Sequence, residues 1–564
     1  RQARQFDPYP PDFDEAVHVL PVLQLAGAVQ QGDLAAFGRH TLLQERLAAY
    51  PFLHSWLILP AWLIEPHVAT LRLMSLIFLV GAAGLAFWIG RDLALHGRFP
   101  WLAGGLSAGL TLAALPLWVY ASVAYLEGAG LLMTMLALWC YGRSFIYGRR
   151  SRAQRRWLIA ASLAVAGAFF TKYNFGLFVA VAIALNELLA LFTARGPGSD
   201  AGRQAGAPNR WSRIVPARLF YLAGPAALLI LLWFTNLDRL LNFLVYSQAQ
   251  EGQLTFWRLE SWLYYPDSLF RQYLNGPPSW LLVSGGVVYA LLRWRGPTAR
   301  VLLLYVVMST LMLIAVPQKE PRFLYTIAPA LFPLAGAWAA AAGAWLIARF
   351  SSSRRPIWSV AVGLAAVGLA IALLGVWQGT AVYHRFTFFP AAQETAYNSS
   401  PETADAYAFL AAHTLAQGER LYLVNGWHQF NPYALQWVYY ANRPYPPQPF
   451  DYWQVRSGLG PAPDQENLAD WVASLRRQGI SMIATIDGSP AGDYTGWQVA
   501  EPLLAQGVLA PVASSPVYAL NNWDYNYREA VLAGAFPDRD AWQAARAASR
   551  DEFQIQLHIY RLQN

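Results

Sequence analysis

The sequence predicts a mainly α-helical protein, a polytopic transmembrane bundle with an external C-terminal α/β domain. Three observations carry this expectation. The 564-residue chain is 56% hydrophobic and only 13% charged, a composition that soluble domains do not reach. Ten apolar runs follow one another between residues 68 and 378, several long enough to cross a bilayer. After Trp377 the chain turns polar and aromatic, with helical and strand-like segments in alternation. The expected division is residues 1–67 as an external acidic loop with amphipathic surface helices, 68–378 as the bundle, and 379–564 as the external domain.

The opening segment holds the densest chemistry. Pro10-Pro11 blocks earlier helix, and Asp12 then serves as an N-cap with Glu15 completing a capping box. Val17, Leu20, Leu23, Leu25, Ala28 and Val29 supply an apolar face that ends at Gly32. In the ordinary role, Asp14 and Glu15 complement the positive end of this helix. In the functional role, Asp14 is a catalytic carboxylate presented to a substrate held by the bilayer. Leu34 to Pro66, rich in Pro and aromatics, reads as a surface helix and a re-entrant approach to the membrane.

The apolar runs are Val68–Gly90, Pro100–Tyr120, Ala121–Phe145, Trp157–Thr171, Phe175–Phe192, Val215–Trp233, Pro278–Leu292, Val301–Val316, Phe323–Ile347 and Ile357–Trp377. Every second loop between them is arginine-rich, beginning with Arg91 and Arg98 and then Arg143 to Arg156. The positive-inside rule places those loops in the cytoplasm. The net charge of +8 is thereby explained as topology, and a nucleic-acid partner is excluded. The remaining loops fall outside: the acidic opening, Glu127, the Lys172 turn, residues 236–277, the 318–322 turn and everything after Trp377. A multi-pass protein of the plasma (inner) membrane is expected, with its active site on the external side.

Within this topology the candidate site residues share one face. Lys172 and Lys319 are the only lysines among 41 Lys plus Arg, and both fall at external span ends. A compact ammonium suits a phosphate, and elsewhere the chain uses arginine; the ordinary alternative is interfacial anchoring. Glu127 lies near the start of an apolar run, where an acid is costly. Gln318-Lys319-Glu320-Pro321-Arg322 joins two spans by a short turn: a self-neutralising Glu–Arg pair, or a cationic seat with Glu320 orienting Lys319 or Arg322. His18 and His54 with Asp14 and Glu15 are candidate ligands for a divalent metal ion, though isolated histidines more commonly form hydrogen bonds. No cofactor is required by the pattern, and the single cysteine, Cys140, excludes a cysteine metal site.

These residues carry a resemblance. Asp14-Glu15-Ala16-Val17-His18 resembles the acidic first-loop motif of GT-C glycosyltransferases, in the branch of protein O-mannosyltransferases and aminoarabinose transferases. Tyr50-Pro51-Phe52-Leu53 is similar to that family's HPPL segment, with Tyr50 for His and Phe52 for the second Pro. Leu71-Arg72-Leu73 matches the opening of the next span. Tyr125-Leu126-Glu127-Gly128 falls where the family has its second acid, often Asp. Thr171-Lys172-Tyr173 and Gln318-Lys319-Glu320-Pro321-Arg322-Phe323 resemble its TKY and HKExRF turns, with Gln318 for His.

The resemblance implies a GT-C bundle, with one span preceding the acidic loop, that moves a sugar from a polyprenyl-phosphate donor to a lipid, glycan or protein acceptor. Asp14 would take the acceptor proton, Glu127 would position Asp14 or the acceptor, and Glu15 would assist or only cap the helix. Lys172, Lys319 and Arg322 would seat the phosphate, and Tyr50, His18 and His54 would contact substrate or metal. Direct displacement predicts inversion at the anomeric carbon. No Walker loop or dinucleotide fingerprint is present for a soluble nucleotide sugar. Two rival functions use the same charges: a secondary transporter or flippase for a lipid-linked or anionic solute, and a catalytically silent subunit of a membrane complex. Against the first, the acids gather in external loops rather than at mid-span.

Beyond Trp377, Ala404–Leu415 and Leu468–Gln478 have helical patterns. Arg420–Val424, Ile480–Ile486 and Phe553–Arg561 read as strands. Trp427, His428, Trp437, Tyr439, Tyr440, Tyr445 and Trp453 form a sugar-stacking surface, or else build a core or sit on the membrane interface.

Overall fold

The computed structural model describes residues 13–43, 50–121, 124–147, 151–193, 210–234, 256–274, 277–316, 319–351, 401–424, 431–441, 455–457, 468–488, 496–519 and 554–563. The helical part begins with α1 (Phe13–Gln30), α2 (Leu34–Leu43) and α3 (Leu53–Ile64). There follow α4 (Val68–Leu93), α5 (Pro100–Ala113), α6 (Leu115–Ala121), α7 (Leu126–Arg143), α8 (Arg152–Thr171) and α9 (Tyr173–Thr193). Next come α10 (Arg210–Trp233), α11 (Leu259–Ser268), α12 (Pro277–Leu292), α13 (Pro297–Ala315) and α14 (Phe332–Ser351). The tenth expected run, Ile357–Trp377, lies outside the described residues.

Local chemistry sets several of these boundaries. The His67 ring accepts from the Ala69 N–H at the start of α4, and Ser151 caps α8 through the Gln154 N–H. Pro100 and Pro297 open α5 and α13, where a missing N–H costs nothing. The run expected to continue from Pro100 to Tyr120 is broken at Ala114, whose backbone is extended, because Pro116 follows. Pro321 and Pro329 likewise turn the start of the ninth run into two 3-10 segments, Pro321–Thr326 and Ala328–Leu331, ahead of α14. α4, α5 and α14 meet through small residues: a Cβ on Gly336 would collide with the Ala103 carbonyl and the Ser107 hydroxyl.

Four described helical stretches are long and apolar enough to cross a membrane: Val68–Leu93, Tyr173–Ala190, Pro297–Ala315 and Arg322–Arg349. Leu53–Ile64, Arg218–Trp233 and Pro277–Leu292 are apolar but shorter. Among the other expected runs, α5 has only 14 residues, and α8 carries Arg152, Arg155 and Arg156 in its first turns.

The first helix departs from the surface-helix expectation. From Glu15 to Ala28 α1 is buried on nearly every side, with only Val17 partly open. Val19, Leu20 and Leu23 pack on Ile58 and Trp62 of α3 and on Leu71 and Phe78 of α4. Ala16 instead enters a core built by the C-terminal part of the chain. The residues opposite the apolar face (Ala16, Pro21, Gln24) are small or weakly polar, so the helix is covered from two directions.

That C-terminal part contains α15 (Pro401–His413), β1 (Leu421–Leu423), α16 (Pro432–Ala441), β2 (Val455–Ser457), α17 (Leu468–Arg477) and β3 (Met482–Asp487). It continues with α18 (Gly496–Ala505), β4 (Leu509–Ser514), β5 (Tyr518–Ala519) and β6 (Gln554–Leu562). The strands form one mixed sheet in the order β2-β1-β3-β6-β4, with β5 also on β6. β1 runs parallel to β2 and β3, whereas β6 is antiparallel to β3 and β4. One face, with Leu423, Ala484 and Leu557, packs on Tyr407 and Leu410 of α15 and on Ala16. The other, with Ile483 and Tyr560, packs on Val472 of α17 and Leu503 of α18. At the end of this second face a cross-strand polar row runs from Ser514 Oγ to His558 Nδ1 (2.8 Å) and from His558 Nε2 to Asp487 (3.2 Å).

Trp437 does not form an open sugar platform. It is buried between α16 and α1, with its ring 5.2 Å from that of Trp62. The Tyr439 hydroxyl donates to the Leu415 carbonyl (3.0 Å), and Tyr440 packs against the α1 core. Trp427, His428, Tyr445 and Trp453 lie outside the described residues.

Candidate active site

The site is assembled where the start of α1, the segment entering α3, the start of α7, the α8–α9 turn and the segment after α13 come together. Asp14 is in the first turn of α1; its side chain is outside the described residues. The expected capping partner, Asp12, lies outside the described residues, and Glu15 is fully buried. Its carboxylate receives two N–H bonds from Arg72 of α4, Nε at 2.8 Å and Nη2 at 2.6 Å. Oε1 also accepts the Ala124 backbone N–H at 2.8 Å. A bidentate guanidinium beside a carboxylate is a strong, directional pair. It fixes α1, α4 and the segment leading into α7 to one another.

Glu127 follows from that segment. It is buried in the first turn of α7, and its Oε1 takes the Lys172 ammonium at 3.4 Å. Its Oε2 takes no hydrogen bond among the described residues. Arg322 and His18 are close enough to act on it electrostatically. Lys172 is placed by the break between α8 and α9, where its own backbone is extended. Its ammonium lies 5.2 Å from the Tyr50 ring and 5.6 Å from the Phe175 and Phe323 rings, so aromatic faces support the cation beside its carboxylate. Arg322 pairs with Glu320 and stands 5.8 Å from the Tyr125 ring.

The two histidines join the same group. His18 meets Tyr50 edge-on at 4.9 Å and Tyr125 at 6.0 Å, with the His54 ring 6.4 Å away. His54 is completely buried in α3, a helix of 12 residues and too short to span. Burial, with the His18 ring as a second cause, pushes its pKa down to about 3, so it is neutral at physiological pH. No group of three or more His, Cys, Asp or Glu among the described residues is arranged to hold a metal ion.

Lys319 turns its side chain back onto the helix that precedes it. Its ammonium donates to the Leu313 (3.1 Å), Ile314 (2.8 Å) and Val316 carbonyls at the end of α13. Burial lowers its pKa. The Leu313 carbonyl also takes the Val316 N–H and the Ile314 carbonyl the Ser261 hydroxyl, so the lysine reaching back over them adds a further donor at the helix end. Of the expected site residues, the fold therefore gathers Glu127, Lys172, Arg322, Glu320, Tyr50, His18 and His54, with Glu15 bound beside them. Two further members, Arg72 and Tyr125, were not singled out by sequence as site residues. Arg72 had a signal, a charge inside an apolar run.

The sequence profile of the Alg9-like mannosyltransferase family matches residues 48–433, which takes in Glu127, Lys172, Lys319 and Arg322 but begins after Asp14. No curated protein matches the chain. Among solved structures, ArnT from Cupriavidus metallidurans in the apo state superposes with a TM-score of 0.52 at 15% identity, over 90% of this chain and 93% of that one. The same protein bound to undecaprenyl phosphate gives 0.52 at 14% identity, with the same coverage. Identity at that level establishes a shared fold. With more than half its length matched by the family profile, the chain belongs to the Alg9-like mannosyltransferase family and is a membrane glycosyltransferase of GT-C type.

Proposed function

We propose that the protein transfers a sugar from a polyprenyl-phosphate donor to an acceptor hydroxyl at the external face of the membrane, with inversion. Asp14 takes the acceptor proton as the oxygen attacks the anomeric carbon. The bond from that carbon to the phosphate oxygen breaks, and polyprenyl phosphate leaves. Lys172 and Arg322 stabilise the charge developing on the leaving phosphate, with Glu320 orienting Arg322. Lys319 acts on the same seat from its place at the end of α13. Glu127 holds Lys172 and offers its second carboxylate oxygen to a sugar or acceptor hydroxyl. Tyr50, His18 and His54 shape the wall beside it.

The observation that carries this reading is the Glu127–Lys172 pair among Tyr50, Phe175 and Phe323, a desolvated cation next to a carboxylate with a spare acceptor oxygen. The relative of like fold that binds undecaprenyl phosphate supports a lipid donor, and the family name suggests mannose as the first sugar to test. The experiment is reconstitution of the purified chain in liposomes with a donor radiolabelled in the sugar. Label should pass to a hydroxyl acceptor with inverted configuration, and Asp14→Asn should abolish transfer while donor still binds. Undiminished transfer by Asp14→Asn, or passage of intact donor across the bilayer without transfer, would overturn the proposal.

A further inference from the structure

The far end of α4 carries a second arrangement of charge and aromatic rings. The Arg91 guanidinium lies between two indoles, 4.7 Å from the Trp88 ring and 4.7 Å from the Trp101 ring of α5. Phe87 packs on both tryptophans, at 5.4 and 5.8 Å, and closes the frame. Both indoles face outward, Trp88 at 38% and Trp101 at 63% exposure. The guanidinium makes no hydrogen bond and no ion pair among the described residues. The neighbouring acid, Asp92, is taken by Arg143 (3.2 Å) and Trp139 (3.3 Å). Arg91 is thus oriented by stacking, with its N–H donors uncommitted.

Its depth identifies the occupant. Arg72 marks the active-site end of α4, and Arg91 comes 19 positions later. At about 1.5 Å per residue that is about 28 Å, close to the roughly 30 Å of bilayer hydrocarbon. Between them α4 exposes Leu73, Ile77 and Val80 along one stripe that leads to Trp88, a surface suited to an acyl chain. Tryptophans at such a depth belong to the interface, where the phosphates lie.

We propose that Arg91, clamped by Trp88 and Trp101, binds the phosphate of an anionic phospholipid in the leaflet opposite the active site, with one acyl chain along the α4 stripe. A planar guanidinium packed against two indoles presents its free edge to phosphate oxygens as a fork. The site concerns a bulk membrane lipid rather than the sugar donor, so it stands apart from the proposed reaction.

The test is native mass spectrometry of the full chain released from nanodiscs of equal phosphatidylglycerol and phosphatidylcholine. The wild type should retain one phosphatidylglycerol, enriched about five-fold over phosphatidylcholine, the effect of about one basic residue beside an anionic leaflet. Arg91→Gln and Trp101→Ala should each bring that ratio close to one, while Arg98→Gln, an exposed charge in the same loop, should leave it unchanged. Equal enrichment in Arg91→Gln and wild type would overturn the proposal, as would an equal loss in Arg98→Gln, which would mean diffuse charge alone. Should Arg91→Gln fold poorly, Arg91→Lys decides: it keeps the charge without the fork and should lose most of the enrichment, and full retention would count against the clamp.

Discussion

Cutting the Glu15–Arg72 pair should be among the most damaging single changes outside the chemistry itself. Both side chains are nearly inaccessible, at 1% and 4% exposure, and the fork closes at 2.6 and 2.8 Å with Ala124 completing the carboxylate. Arg72→Met would leave a buried carboxylate without its guanidinium, and Glu15→Gln would leave a buried guanidinium facing an amide. Removing one partner of such a pair costs about 3–5 kcal/mol, with the weakened Ala124 bond adding about 1 kcal/mol to Glu15→Gln. The double variant should recover much of the loss because no charge remains buried, giving a coupling of about 3 kcal/mol in a double-mutant cycle. Unfolding of the purified chain in mixed micelles measures all four corners. A coupling below about 1 kcal/mol, the range of an exposed pair, would refute the claim that this contact ties α1 to the bundle. Because Asp14 is the next residue, each single variant should also slow transfer more than it weakens donor binding.

Further outcomes follow from the same geometry. Asp14→Asn should reduce the transfer rate about 100-fold or more with donor affinity retained, read from single-turnover kinetics beside equilibrium binding of the lipid. Lys172→Met should raise the KM for donor and lower kcat/KM by about 10- to 100-fold. Glu127→Gln should resemble it in part, because the ammonium then loses its holder. Lys319→Met should destabilise the end of α13, detectable as faster amide exchange around Leu313 to Val316, along with any loss of activity. His54, with its pKa near 3 in the fold against about 6.5 when unfolded, binds fewer protons folded than unfolded below pH 6.5. Stability should be complete above that pH and fall as pH drops, by about 2 kcal/mol at pH 5. His54→Phe should remove that part of the pH dependence, which unfolding at pH 7.5 and 5 would reveal.

What the sequence alone determined was everything that depends on residue type and period. Long apolar runs must be helices in a membrane, where every backbone group needs an internal partner, and Val68–Gly90 and Val301–Val316 emerge as α4 and α13. The strand-like runs Arg420–Val424 and Ile480–Ile486 emerge as β1 and β3. The order of the acidic, tyrosine and lysine segments along the chain was also legible, and the fold brings Tyr50, Glu127 and Lys172 to one place. Tertiary structure alone decided partners. Glu15 finds Arg72, 57 positions away, because α1 is sandwiched between the bundle and the sheet, a burial that its apolar face alone did not reveal. Lys319 turns back onto the α13 carbonyls because the end of its own preceding helix puts several acceptors within reach, and Trp437 is buried against Trp62 because α16 covers α1. A sequence fixes how much a charge or a ring costs to bury; only the packed chain supplies the group that offsets it.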